Sequence, residues 1–374
     1  MAAQWRVTFC SVPTRLLSSS LIVVAALVGP HARAGHSHEP PAAHDARAVV
    51  SPTGEIYIEL APTDLPAHAE HHQIAQPPVA ILQMPATGAL YGFRTEMVDD
   101  AGHLLPSELV HHFNLIDPDH RELFLPISRR MIAAGKETGS KQIPRWLFGF
   151  PVVRGERILA SVMLANPTDS SYHNARVRLV LLYTPARRLW PLFRAEPFQM
   201  DVAFPVGDKS FDLPPGKSSR SYEGSPAVPG AIVAIGGHVH EHATRLEFVD
   251  ATSGTVIYQG APMIDSAGTV IGMPVTRLYG LGHLGTHIDP AHRYRVTVYY
   301  DNPTGRTIPD GGMGVVGGLF VPDGGVVWPA TNPADSLYQQ DFRHAMRLVG
   351  GHEMMMGGHE MAPMGAHGAA HHSH

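Results

Sequence analysis

Apolar and polar residues alternate along much of this chain, in short runs closed by Gly, Pro, Asn or Asp. Alternation puts every second side chain on one face of a strand, so the pattern predicts half-buried β-strands separated by tight turns. Strands are predicted over 55–60, 109–116, 157–165, 175–183, 231–239, 244–249, 255–259, 293–300 and 314–320. No long stretch carries helical periodicity, and 128–134 reads as one short helical turn. The runs ending Leu164-Ala165-Asn166-Pro167-Thr168 and Tyr300-Asp301-Asn302-Pro303-Thr304 echo each other. Asn-Pro commonly initiates turns. The echo is therefore either a coincidence of turn chemistry or the mark of two β-domains of similar build, joined near 185–197.

The chain has 374 residues, a length that suits about two domains. Only 16% of it is charged, and it holds 37 Gly and 33 Pro. That composition favours β-sandwiches over helical bundles. A formal net charge of −5 argues against nucleic acid as a partner.

Residues 1–34 read as a secretory signal. Arg6 and Arg15 are basic, 16–28 is apolar around Ser18-Ser19-Ser20, and Ala32-Arg33-Ala34 is a small-x-small cleavage site. The alternative is a membrane anchor, for which the run is short against the ~20 residues of a span. Removing this segment takes away three Arg and no acid, so the net charge becomes −8. It also removes Cys10, the sole cysteine, and with it any disulfide or thiolate ligand. A periplasmic or secreted protein without stable membrane insertion is expected. Residues 35–48 and 350–374 look disordered, because neither has the apolar periodicity of a core. The tail mixes six His with five Met and reads as a copper-scavenging segment or as plain low-complexity sequence. The sandwiches are expected at 49–190 and 191–349.

Three motifs carry candidate chemistry. In His238-Val239-His240-Glu241-His242 the histidines at i, i+2 and i+4 share one strand face, and two imidazoles there can meet one metal without bending the backbone. The alternative is a solvated histidine cluster at a strand end. His111-His112 are adjacent, so both serve one ion only at a bulge or strand end. Met313 lies among Gly311, Gly312 and Gly314, which permit close backbone approach, though methionine is more often core filler. A thioether beside two imidazoles selects copper, because sulfur suits Cu(I) and imidazole suits both oxidation states.

Together these motifs resemble the type II, ascorbate-dependent copper monooxygenases, which include peptidylglycine α-hydroxylating monooxygenase and dopamine β-monooxygenase. The resemblance runs from about Glu96 to Asp323. His111-His112-Phe113 matches the pair on the family's electron-donating copper. His238-x-His240 and Met313 match the ligands of its oxygen-activating copper. Lys136-Glu137-Thr138-Gly139-Ser140 and Tyr279-Gly280-Leu281-Gly282-His283 are similar to family segments. The resemblance implies an all-β fold of two tandem antiparallel, jelly-roll-like sandwiches, with copper sites facing across a wet interdomain cleft. It implies two copper ions, an ascorbate-like external reductant, O2, and a small substrate with an accessible C–H bond.

The departures are as informative. Met163 stands where the family has a third His on the first copper, with His173 nearby as a substitute. His242 is a further candidate on the second site. Gly236 and Gly317 replace the Arg and Tyr that hold a peptide carboxylate, which argues against peptide amidation. The rival expectation is a non-catalytic copper protein for resistance, storage or delivery, working with copper donor or acceptor proteins. A third is a structural sandwich whose sites have decayed.

Overall fold

The computed structural model describes residues 46–347, apart from 136–139, 189, 205–209 and 267. The leader, the His-rich segment up to residue 45, the His/Met tail and Lys136–Gly139 of the family-like stretch lie outside the described residues.

The first half is built from β1 (Arg47–Val50), β2 (Ile56–Glu59), β3 (Thr63–Leu65), β4 (Ala80–Gln83), β5 (Gly88–Val98), β6 (Val110–Arg121), β7 (Ser128–Gly135), β8 (Phe148–Val152), β9 (Arg157–Leu164) and β10 (Tyr172–Pro185). The second half holds β11 (Glu196–Asp201), β12 (Phe211–Leu213), β13 (Gly216–Gly224), β14 (Gly230–Val239), β15 (Ala243–Asp250) and β16 (Thr255–Gly260). It continues through β17 (Thr276–Arg277), β18 (Thr286–Ile288), β19 (Tyr294–Asn302), β20 (Ile308–Gly312) and β21 (Gly314–Pro322). The protein is thus all-β, and every strand predicted from alternation is present.

Each half is a sandwich of two antiparallel sheets over its own apolar core. In the first, β2-β10-β5-β8 faces β4-β9-β6-β7 across Ile56, Met97, Leu179, Phe113, Leu115 and Val162. In the second, β11-β21-β14, extended by β17 and β18, faces β13-β19-β15-β16 across Phe198, Ile232, Phe320, Leu246, Phe248 and Val298. The strand orders correspond one to one, so the echo read from the sequence is structural.

The matching corners show this at atomic level. The Asn166 amide donates to the carbonyls of Leu65, Pro66 and Ser170 at 3.0, 2.8 and 2.8 Å. Its oxygen accepts the Thr168 N–H and hydroxyl at 3.0 and 2.8 Å. Asn302 repeats the pattern, donating to Leu213, Pro214 and Arg306 at 3.3, 3.1 and 2.8 Å and accepting both groups of Thr304. Asn174 and Asp310 both take a left-handed backbone, φ 50° and 49°, each donating its N–H to an aspartate, Asp64 or Asp212. Short polar side chains tolerate that conformation best.

Two expectations are corrected. Residues 128–134 are strand, not a helical turn, because they pair with β6 from Arg121↔Ser128 to His112↔Gly135. Nearly the whole strand is buried, so it shows no alternation, and its two arginines disguise it as surface. There is also a 12-residue helix, α1 (Ser336–Arg347), capped by Asp335, whose carboxylate accepts the N–H groups of Leu337 and Tyr338. Phe342, Ala345 and Met346 pack it on Val79, Ile116 and Leu159 of the first sandwich.

The sandwiches are locked together. The turn after β6 inserts Leu123, Phe124, Leu125 and Ile127 into the second core. Phe148 from the first half and Val233 and Val321 from the second share a further apolar cluster. Between them the buried Arg129 guanidinium pairs with Asp117 at 2.6 Å and with Glu196, under the rings of Phe150 and Trp328. Arg130 pairs with Asp341 of α1 at 2.5 Å. Each of these buried guanidinium groups faces at least one buried carboxylate, which offsets the cost of taking the charges out of water.

Two predictions follow from this frame. Asn302→Ala leaves buried carbonyls and N–H groups without donors or acceptors, each worth about 1–3 kcal/mol. Urea unfolding should show a loss of about 3 kcal/mol or more, and a similar loss for Asn166→Ala. Burial opposes ionisation of Asp117, but the His120 hydrogen bond and the Arg129 charge outweigh it and hold the carboxyl at about 2. A depressed carboxylate stabilises the fold above its unfolded pKa, near 3.9, and loses that stabilisation as pH falls through its folded value. Unfolding between pH 4 and 2 should therefore steepen, and Asp117→Asn should remove about 2 kcal/mol of that dependence.

Candidate metal centre

The second-sandwich cluster is set by the β14–β21 ladder. His238 lies opposite Val315 and Val239 opposite Gly314, so continuing the register brings His240 to Met313. Tyr300, on β19, closes the arrangement. Its hydroxyl accepts the Met313 N–H at 2.8 Å, donates to the Met313 carbonyl, and accepts the His240 N–H at 3.4 Å. Burial pushes this phenol up to about 12, so it keeps the proton it donates. Glycine is needed at 314, where a Cβ would lie 2.6 Å from Val298, and at 237, where it would meet Leu246 at 2.3 Å. The His238 and His240 rings stand 5.5 Å apart, and His238 Nε2 is buried. His242 does not extend the shared face: β14 ends at Val239, and the chain turns with His242 at φ 67°.

The first-sandwich pair sits at a bulge. Met163 pairs with His112 and Leu164 with Val110, leaving His111 as the extra residue on β6. Two adjacent side chains can then lie together. The His111 and His112 rings are 4.3 Å apart. Met163, cross-strand from His112, is its immediate neighbour on the sheet face. His173 lies elsewhere, in the corner, with Asp64 at 3.6 Å and a side chain 80% exposed.

Two histidines escaped the sequence reading. A 3-10 turn, His71–Gln73, brings the His71 ring to 5.9 Å from that of His111, nearly parallel, with His72 5.5 Å beyond. The available signal was a second His-His dipeptide, in Ala69-Glu70-His71-His72. It was overlooked because it lies outside any alternating run.

The two clusters meet where the sandwiches do. The His112 and His238 rings are 6.3 Å apart and nearly perpendicular. Six imidazoles among the described residues thus form one line, in the order His72, His71, His111, His112, His238, His240. The Tyr279-Gly280-Leu281-Gly282-His283 segment forms a small hairpin packed through Tyr279 onto Phe148, 4.8 Å between rings. One surface depression is lined by Leu147, Phe193 and this hairpin, and another by Arg47, Glu59 and Arg178. Neither is lined by the histidine line.

Among the described residues, no three His, Cys, Asp or Glu side chains are gathered as a metal-holding group. The candidate donors come instead as two imidazole pairs, each with a methionine near it along the strand ladder. Two imidazoles sharing an ion with metal–nitrogen bonds of about 2.0 Å have ring centroids no more than roughly 6.4 Å apart. Both pairs meet that bound, and a nitrogen–thioether set fits copper.

No family model and no curated protein matches the chain. Among solved structures it is similar to a chain of Sulfolobus Turreted Icosahedral Virus, at 12% identity over 79% of this chain and 97% of that one, with a TM-score of 0.32. A chain of the infectious bursal disease virus Gx strain shares 11% identity over 82% and 84%, with a TM-score of 0.19. Likeness at this level carries no argument about this protein.

The Tyr300 hydroxyl is testable on its own. Tyr300→Phe removes the partner of three backbone groups, so a loss of about 1–3 kcal/mol is expected in thermal or urea unfolding. Any metal held through Met313 should dissociate faster in that variant, measured by chelator competition.

Proposed function

We propose that this protein is a copper-dependent monooxygenase of the type II, ascorbate-dependent kind, hydroxylating a C–H bond of a small substrate in the periplasm or outside the cell. The observation that carries the reading is the meeting of His238, His240 and Met313, with the last two tied through one buried phenol. The matching of motif order and spacing to that family supports it. Copper held there would supply one-electron chemistry and O2 activation. The balanced reaction inserts one oxygen atom into the C–H bond and releases the other as water, with two electrons and two protons from an ascorbate-like reductant.

The chain's own residues divide the remaining work. His238 and His240 present two imidazoles from one strand end. The Met313 thioether is a soft donor and favours the reduced ion. Tyr300 fixes the backbone of two of these three residues. His111 and His112 form a second imidazole pair, and the 6.3 Å spacing of His112 and His238 offers a short route between the pairs. No side-chain base is assigned, because hydrogen-atom abstraction needs none.

One observation favours a second reading. Met163 lies beside His112 where the family has an imidazole, and a site of two imidazoles and a thioether favours Cu(I). A copper resistance, storage or delivery protein built on the same frame would show such a site, and the His/Met tail would serve it.

The readings separate cleanly. The enzyme consumes O2 only with copper and ascorbate, and His240→Ala or Met313→Ile abolishes uptake while the protein stays folded. Uptake that survives both substitutions sinks this reading. The carrier instead loses copper tolerance in cells when 350–374 is deleted, with no ascorbate-dependent O2 uptake at all.

A further inference from the structure

We propose that the loops around Phe148 form a peripheral docking surface for an anionic phospholipid bilayer. The surface gathers three segments, 140–149, 186–195 and 274–288. The Trp146 carbonyl accepts the Leu192 N–H at 3.1 Å, and the Leu147 carbonyl the Phe193 N–H at 2.8 Å. The Phe148 ring packs on Phe193 at 5.9 Å and on Tyr279 of the small hairpin at 4.8 Å. Both sandwiches therefore contribute to one platform, and its base is fixed by buried apolar packing.

This platform shows large apolar side chains to solvent. Trp146, Trp190 and Leu192 are exposed, Trp146 by 71%. Leu281 lies in the two-residue turn between Gly280 and His283 and is fully exposed. A single exposed apolar residue is ordinary, but four around one platform mark an interaction surface. None of the four lines the depression beside the hairpin, so they offer separate apolar points and no groove. The charge around them is one-sided. The three segments hold six Lys and Arg and no Asp or Glu, in a chain whose net charge is −5. Arg194 pairs with Glu196, and Arg277 lies 5.3 Å over the Tyr279 ring. Lys141, Arg145, Arg187 and Arg188 are exposed and pair with no carboxylate among the described residues. Such a surface complements anionic headgroups: indole rings settle at the lipid–water boundary, and exposed cations are drawn to the negative surface. A second copy of the chain fits poorly, because a two-fold contact would set the same cations face to face. Separate apolar points suit a layer that deforms around them, whereas a folded partner would need a pocket for each.

The test uses the chain from residue 35, the mature form expected once the leader is cleaved, because the apolar leader would bind lipid by itself. Vesicles are of phosphatidylcholine alone, or of phosphatidylcholine and phosphatidylglycerol in equal parts. Beyond the leader the tryptophans are Trp146, Trp190 and the buried Trp328, so a change in emission reports the proposed surface. Phosphatidylglycerol vesicles should shift that emission to shorter wavelength, less so as added salt screens the headgroups, and phosphatidylcholine alone should have little effect. Leu281→Glu, and separately the pair Arg187→Glu and Arg188→Glu, should lower co-sedimentation with these vesicles at least about tenfold, since apolar burial and headgroup attraction together carry peripheral binding. The unfolding temperature should not change, because all three side chains are exposed. Leu104→Glu, also exposed but paired with Val98 at the far end of β5, should bind as the parent does. The absence of both emission shift and co-sedimentation overturns the proposal. So does binding that survives in the Leu281 and Arg187/Arg188 variants, which would put the lipid attraction elsewhere in the chain. A dimer that Leu281→Glu dissociates, in a protein that ignores vesicles, would overturn it too and assign the face to a second copy.

Discussion

The geometry of the histidine line depends on one buried cation. Arg129 belongs to the first sandwich, yet it pairs with Glu196 at the start of the second as well as with Asp117 on its own sheet. The Arg129 side chain is 4% exposed and that of Glu196 not at all, and separating two such buried charges costs several kcal/mol. The sandwiches are therefore held in one relative placement rather than hinged. The β6–β7 turn, driven into the second core, enforces the same placement by apolar packing. In that placement the His112 and His238 rings lie 6.3 Å apart.

The two halves repeat one plan, but their candidate metal-binding residues do not repeat. Both corners use an asparagine amide to gather three carbonyls and a threonine, and both sheets keep the same strand order. In the first half the histidines stand on a bulge in a strand of one sheet. In the second they stand at the end of a strand of the other. The repeat thus supplies a frame twice over, while a bulge places the first histidine pair and regular spacing at a strand end places the second. Irregularities of this sort re-aim side chains that a regular ladder would send to opposite faces.

Sequence reading reached far into the fold because its signals are local. Alternation, and turns closed by Gly, Pro and Asn, act over a few residues, so β6, β9, β10, β14, β15, β19 and β21 were all legible. It failed where a strand's surroundings hide its pattern. β7 is buried along nearly its full length, and Arg129 and Arg130 look like surface until their carboxylate partners arrive from distant segments. β13 is a sheet edge rich in Ser, Lys and Arg, and its alternation lies in exposure rather than in residue type.

The same division runs through the candidate site. The sequence by itself determined the candidate donors: His238 and His240 at strand spacing, Met313 among glycines, an adjacent His111-His112 pair, and a chain with no thiol beyond Cys10. It determined the β class as well, since period-two patterning is a property of neighbouring residues. Tertiary structure alone decided which donors meet. The register of β14 on β21 sets Met313 against His240, Tyr300 reaches across from β19 to tie them, and the shift between β6 and β9 turns His111 beside His112. His71 arrives beside His111 from a turn with no periodicity to announce it. Each of these depends on pairing between segments far apart in the chain, and residue spacing carries no record of such pairing.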